Sequence, residues 1–375
     1  MVDQSTEQVA KFDQGPIYSV HCYLQPFQNL FYLSHVYSGL FLLDDQGIAR
    51  VTFDLPPASH RAVLKPATLW AEVFNSRTRE HRNIVFDMYD ASDAFAGDSL
   101  EQCDLYFKRS YYSPDVWRLS PKLQAKVMPF GLNFPCQTPR LMRLLAVLLP
   151  SWMLKSLRAP VETFRALRSN SITMLLTENP RLSAFEHPPD CPLRRAVHFE
   201  TRVFSQNDLG ADSTDAVNRP RLELARLLKE EFGSSFDGGI VRTPYARQSY
   251  PAELSPHSNP RRASYVARSK QILIGVYTRG LHHSVAFKLA EYLAGSKCIV
   301  SEPIRNQLPT PLVAGRNYLE FSSPQECVER CRQILDGQEL ANQMRRDNWE
   351  YYQREVRPDR HVANCLERAF AASDR

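Results

Sequence analysis

One stretch, residues 274–303, gathers side chains suited to holding an anion and meeting hydroxyl groups. Thr278, Arg279, His282, His283 and Ser284 follow an apolar run, and Lys288 and Glu291 come shortly after. The pattern predicts a strand over 271–277, a polar turn with Gly280, a helix, and a second strand over 297–301. At a helix start the free backbone N–H groups and the helix dipole favour negative charge. An arginine beside such a terminus can grip a phosphate with two parallel hydrogen bonds. Helical spacing puts Ser284, Lys288 and Glu291 on one side, and His283, Phe287 and Glu291 drift along another. On that geometry Lys288 reaches a diphosphate and Glu291 accepts hydrogen bonds from sugar or ribose hydroxyls. The plainer alternative is a Lys288–Glu291 surface pair contributing about 0.2–0.5 kcal/mol.

Strand, loop, helix, strand is the unit of a parallel α/β sheet. In open sheets of that kind ligands bind beyond the carboxyl ends of the strands. The elements around the stretch agree. Residues 196–204 alternate with period two and predict a strand, with Arg202 at its end. A helix is predicted over 219–232, a short strand over 237–240, a strand over 317–321, a helix over 324–335, and helical structure from 338 to 370 broken near Pro358.

The N-terminal half predicts a second α/β unit. Strands are expected at 17–24, 49–53, 83–89, 104–108 and 125–129, with a helix over 29–43. Asp87, Asp90 and Asp93 cluster at the end of the 83–89 strand. The economical role for them is turn capping or general-base work. His21, His35 and His60 are weaker candidates of the same kind. Residues 139–170 mix leucines and Trp152 with arginines and are cut by Pro150 and Pro160. This stretch predicts either a basic amphipathic surface that touches a membrane or a helical lid packed on the protein. The Pro-rich segment 179–192 is the expected link between the halves.

The chain has 375 residues, 43% of them hydrophobic and 23% charged, with a formal net charge of +5. That balance suits a soluble protein of about two domains. Mild basicity fits an anionic ligand or a negative membrane surface. The Arg-rich 242–268 loop lacks the interleaved aromatics of a nucleic-acid stacking platform. The polar start predicts no signal peptide, and no apolar run reaches the roughly 18 residues of a spanning helix. The eight cysteines are scattered. Cys327 and Cys331 have a spacing that can share a metal but lack further ligands nearby, so free structural thiols and a reducing, cytoplasmic compartment are expected. The signatures G-x-G-x-x-G, Walker A, G-x-S-x-G and H-E-x-x-H are all missing.

The run T-R-G-L-H-H-S-V-A-F-K-L-A-E-Y-L-A-G-S-K-C-I-V-S-E-P resembles the donor-binding segment of GT-B glycosyltransferases. The retaining branch of that superfamily carries two glutamates separated by seven residues. Glu291 matches the second, and His283 stands where the first would be. The pattern is similar to bacterial group-1 and CgeB-like or exostosin-like enzymes, and the downstream G-R-N-Y-L-E-F-S-S-P-Q-E-C fits them too. The resemblance spans about residues 272–335.

It implies two Rossmann-like domains with parallel sheets facing across a cleft. The N-terminal, acceptor-side domain would take 1–185 and the donor-binding domain 193–350, with a helix in 351–375 crossing back. It further implies a nucleotide-sugar donor held by Arg202, Thr278, Arg279, Ser284, Lys288 and Glu291, with no metal and no separate cofactor. His283, Asp87 or Asp90 would handle the proton of a glycan or lipid-linked acceptor. Gly39 and the Asp87–Asp90 strand end would face the donor domain. The location would be cytoplasmic, peripheral to the inner membrane face through 139–170, and no nucleic acid would be involved. The competing reading is a GT-B-shaped protein without transferase activity that serves binding or assembly.

Overall fold

A computed structural model describes residues 15–24, 28–54, 64–141, 143, 179–206, 211–257, 261–281 and 284–371. His283, His60 and nearly all of the basic 139–170 stretch lie outside the described residues. Arg140, at the edge of that stretch, pairs with Asp44 and Asp45.

The N-terminal half is a six-stranded sheet in the order β2-β1-β3-β4-β5-β6. Its strands are β1 (Tyr18–Tyr23), β2 (Ala49–Asp54), β3 (Thr68–Asn75), β4 (Glu80–Asp87), β5 (Leu105–Lys108) and β6 (Val127–Pro129). Pairings β1–β2, β4–β5 and β5–β6 are parallel, and β3 runs antiparallel to both neighbours. Strand β3 has no counterpart in the sequence reading, so this sheet is mixed where a parallel one is expected. A tight turn at 76–79 joins β3 to β4, and a hairpin forces antiparallel pairing.

Helix α1 (Leu30–Asp45) links β1 to β2 and is capped by the Asn29 side chain, which accepts from the Tyr32 N–H. It is buried on nearly every side, as befits a helix held between two layers. Its other layer is the C-terminal helix. Gly39 permits the contact: a Cβ there would lie 2.3 Å from the Pro358 carbonyl oxygen. Gly39 therefore faces the returning helix and not the donor domain.

The C-terminal half is a five-stranded sheet, β11-β10-β9-β7-β8. Its strands are β7 (Arg194–Thr201), β8 (Phe236–Ile240), β9 (Ile272–Tyr277), β10 (Cys298–Ser301) and β11 (Leu319–Glu320), all pairing in parallel. Every residue of β9 is buried, the mark of a central parallel strand covered on both faces. The longer helices are α2 (Ala211–Phe232), α3 (Arg262–Ser269), α4 (Phe287–Ala294), α5 (Pro324–Asp336), α6 (Gln338–Tyr351) and α7 (Pro358–Ala371). Cys327 and Cys331 are buried in α5 among apolar residues.

The segment between the halves is packed rather than loose. The His187 N–H donates to Ala294 O, Ser296 Oγ donates to His187 O, and Arg345 donates to Cys191 O. After α6 the chain crosses back, and α7 buries Val362, Cys365, Leu366 and Ala369 in the core of the N-terminal sheet. Among the described residues no helix is long and apolar enough to cross a membrane.

Candidate active site

Strand order reverses between β7 and β9. Such a switch point leaves a crevice beyond the strand ends, because the connections leave in opposite directions. A cleft of about 430 Å³ lies there, lined by Thr201 and Arg202 after β7 and by Thr278, Arg279 and Gly280 after β9. Arg221 of α2 holds the two strand-end turns together. Its guanidinium donates to Arg202 O at 2.7 Å and to Arg279 O at 2.9 Å. Burial lowers its pKa to about 10, with Glu302 opposing.

Helix α4 supplies Lys288 and Glu291 to this cleft. Glu291 is 8% exposed. One of its oxygens is paired with Arg262, while the other, Oε2, is buried without a partner among the described residues. A lone buried carboxylate oxygen costs about 1–3 kcal/mol or more unless a donor arrives. Lys288 forms no ion pair among the described residues; its Nζ lies 5.2 Å from the centre of the Tyr265 ring. Burial lowers this ammonium to about 8, against the opposing pull of Glu200 and Glu291. The two residues do not form the surface pair that their spacing alone allows.

Ser284 is a correction. Helix α4 begins at Phe287, so Ser284 precedes it and the helical spacing does not apply. The Gly280 N–H donates to Ser284 O and the Ser284 N–H to Leu281 O, closing a compact turn. Ser284 is buried and lines a second cleft on the far side of that turn. Arg202, Thr278, Arg279, Lys288 and Glu291 do share the first cleft.

Asp87 is a second correction. It is fully buried, and it accepts from the Tyr106 hydroxyl at 2.6 Å, Lys108 Nζ at 2.9 Å and the Tyr89 N–H at 2.7 Å. A carboxylate so engaged anchors the end of β4 and meets no acceptor. Asp90 pairs with Arg109. Arg109 donates to Val285 O at 2.9 Å and to Asn133 Oδ1 at 2.9 Å, and its guanidinium lies 4.2 Å over the Phe287 ring. Asp90 thus secures a seam between the halves through one of its oxygens.

Phe31 and Tyr32, from the start of α1, close the N-terminal side of the cleft against Phe287. Behind its Glu200 and His257 lining runs a charge network that sequence reasoning missed. Asp237 accepts from His198 Nδ1 at 2.7 Å and His257 Nε2 at 2.8 Å, and Arg268 bonds Glu200 at 2.6 Å. Burial lowers His198 to about 4, so it is neutral at pH 7. The signal was faint: Glu200 and His198 sit in the alternating 196–204 strand, but Arg262 and Arg268 lie far off in a segment read as a loop.

Residues 223–367 match the family model described as glycosyl transferase-like. With the N-terminal α/β unit across the cleft and α7 returning to it, the layout is the two-unit α/β arrangement that the sequence resemblance implies. No curated protein sequence matches the chain. Among solved structures, the C-terminal domain of a glycosyl transferase group 1 family protein (LpcC) from Francisella tularensis is similar at 12% identity and a TM-score of 0.28, covering 46% of this chain and 95% of that one. Staphylococcus aureus MnaA, solved with UDP, shows 10% identity and a TM-score of 0.35, covering 75% and 63%. Sucrose-phosphate synthase from Thermosynechococcus elongatus shows 12% identity and a TM-score of 0.33, covering 52% and 54%. The chain thus spans less than two thirds of the latter two.

Proposed function

We propose that this protein is a glycosyltransferase that moves a sugar from a nucleotide-sugar donor to a hydroxyl of a glycan or lipid-linked acceptor, without a metal or further cofactor. The observation that carries the reading is that one switch-point cleft holds a Lys288 ammonium without an ion-pair partner and a Glu291 oxygen without a hydrogen-bond partner among the described residues. A nucleoside diphosphate supplies both missing partners: phosphate oxygens for Lys288 and ribose hydroxyls for Glu291. Arg202 and Arg279, both exposed at the strand ends, add positive charge where the diphosphate leaves.

As the glycosidic bond to the donor breaks, negative charge grows on the leaving phosphate. Groups already fixed around that position stabilise the transition state more than the ground state. Arg221 keeps the strand-end turns in place and acts as a positioning residue. The acceptor proton falls to His283, the residue that the sequence resemblance singles out for it. Peripheral membrane contact through 139–170 and a cytoplasmic location belong to this proposal as well.

The test is a screen of common sugar nucleotides for release of free nucleoside diphosphate, with and without candidate glycan acceptors, repeated with Lys288→Ala and Glu291→Ala. The reading expects at least one donor to turn over and both variants to lose most of that activity. Full activity in both variants would remove the site assignment.

A further inference from the structure

A second cleft of about 450 Å³ opens on the other side of the 278–286 turn, bounded by the ends of β9 and β10 and the start of α5. It shares Arg279 with the donor cleft, so the two depressions meet at one residue. We infer that this second cleft is the acceptor subsite, and that it takes an oligosaccharide bearing an anionic group. The acceptor role rests on the donor reading of the first cleft.

Asn306 is the decisive residue. It lines this cleft and is 5% exposed. Its Nδ2 faces the Tyr111 carbonyl at 3.4 Å, which fixes the amide orientation. Its Oδ1 is then buried without a partner among the described residues. Native proteins rarely leave such an acceptor unpaired, and one in a cleft wall calls for a donor from a ligand. A sugar hydroxyl is a donor of the right kind.

Charge sets the rest of the preference. The Arg305 guanidinium lies 3.8 Å from the centre of the Tyr112 ring and has no carboxylate partner among the described residues. Stacking fixes its plane and leaves its N–H edge for a carboxylate or phosphate. Glu302 sits at the opposite, Arg279 end, where its Oε2 accepts the Arg279 N–H at 2.8 Å. An anionic group is therefore directed toward Arg305. The α5 N-terminus does not compete for it. Ser323 Oγ already accepts the Glu326 N–H, and Glu326 accepts the Ser322 N–H. The rim is held by both halves of the molecule: Gln307 N–H donates to Tyr111 O at 3.1 Å, and Ser113 N–H to Gln307 Oε1 at 3.0 Å.

The experiment titrates the full chain, with and without UDP, against tetragalacturonate, mannose 6-phosphate and neutral maltotetraose. Tetragalacturonate or mannose 6-phosphate should bind at least tenfold more tightly than maltotetraose, and whichever binds identifies carboxylate or phosphate as the group read. Arg305→Ala and Asn306→Leu should each weaken that binding about tenfold and leave UDP affinity unchanged. Equal binding of neutral and charged probes, unchanged affinity in Arg305→Ala, or displacement of UDP by the probe would overturn the inference. Probe binding through Arg305 in a protein that binds no UDP would support the glycan site and remove the donor reading instead.

Discussion

Arg262 pairs with one oxygen of Glu291 and leaves the other unpartnered inside the cleft. The guanidinium, itself seated against the Phe31 and Phe185 rings, fixes the carboxylate before any ligand arrives. Preorganisation of this kind spares the ordering cost of binding. Glu291→Gln keeps the size but removes the charge, and one amide N–H would crowd Arg262. Nucleoside diphosphate affinity should fall about tenfold, or roughly 1.4 kcal/mol. Isothermal titration with UDP and GDP measures it, and an unchanged affinity for both would disconnect Glu291 from the nucleotide.

Lys288 predicts a pH dependence. Burial puts its ammonium at about 8, so the charged form that grips phosphate is present below that pH and is lost above it. Diphosphate affinity should hold from pH 6 to 7.5 and weaken between pH 8 and 9. Lys288→Ala should be weaker throughout and should lose this slope. A wild-type profile flat to pH 9 would show that Lys288 does not meet the phosphates.

The C-terminal crossing carries its own pH signature. His35 Nε2 lies 3.1 Å from His361 Nδ1, and His361 Nε2 lies 2.7 Å from Phe130 O. The carbonyl requires a proton on His361 Nε2, so His361 Nδ1 accepts from His35. Both rings are fully buried and neutral. Burial lowers His361 to about 4 and His35 well below its usual value, with His361 adding to the latter. The unfolded chain, with histidines near 6.5, binds more protons in this window. Stability is therefore fully present above about pH 6.5 and is lost as pH falls toward 4. Urea denaturation should show a loss of about 1–3 kcal/mol from pH 7 to 5. Buried His198 adds in the same direction. His361→Asn should lower stability at pH 7 and flatten the slope, and an unaltered slope would mean that this pair does not sense pH.

Gly39 tests whether α7 docks as described. Its missing Cβ leaves room for the Pro358 carbonyl and Val362. Gly39→Ala gains helix propensity but forces the two helices apart, and overpacking of this kind typically costs about 1–3 kcal/mol. Thermal unfolding and limited proteolysis should show a less stable protein cleaved first near 352–358. An equally stable variant would contradict the close approach.

The sequence carried some parts of this picture better than others. Strands such as β9 and helices such as α5, with its Ser-Pro start, are local patterns of burial and capping and were legible. Strand β3 was passed over, though T-L-W-A-E-V-F-N carries strand-forming residues, and with it went the mixed character of the first sheet. Lys288 and Glu291 line one cleft together because a single short helix carries both. Ser284 was misplaced because helical spacing was extended back past Phe287, where the Gly280–Ser284 turn intervenes. Asp87 looked catalytic as one of three acids, yet its fate was set by Lys108, a partner reached only through sheet register. Arg109, Arg262 and Asn306 are defined by contacts between distant segments, and no local pattern announces those.

A crystal structure of the full chain with a nucleoside diphosphate is the most direct test of the donor cleft. The account predicts the β-phosphate within hydrogen-bond reach of Lys288 Nζ and a ribose hydroxyl on Glu291 Oε2, between the ends of β7 and β9. A diphosphate seated instead against Arg305 in the second cleft, with Lys288 and Glu291 untouched, would contradict it.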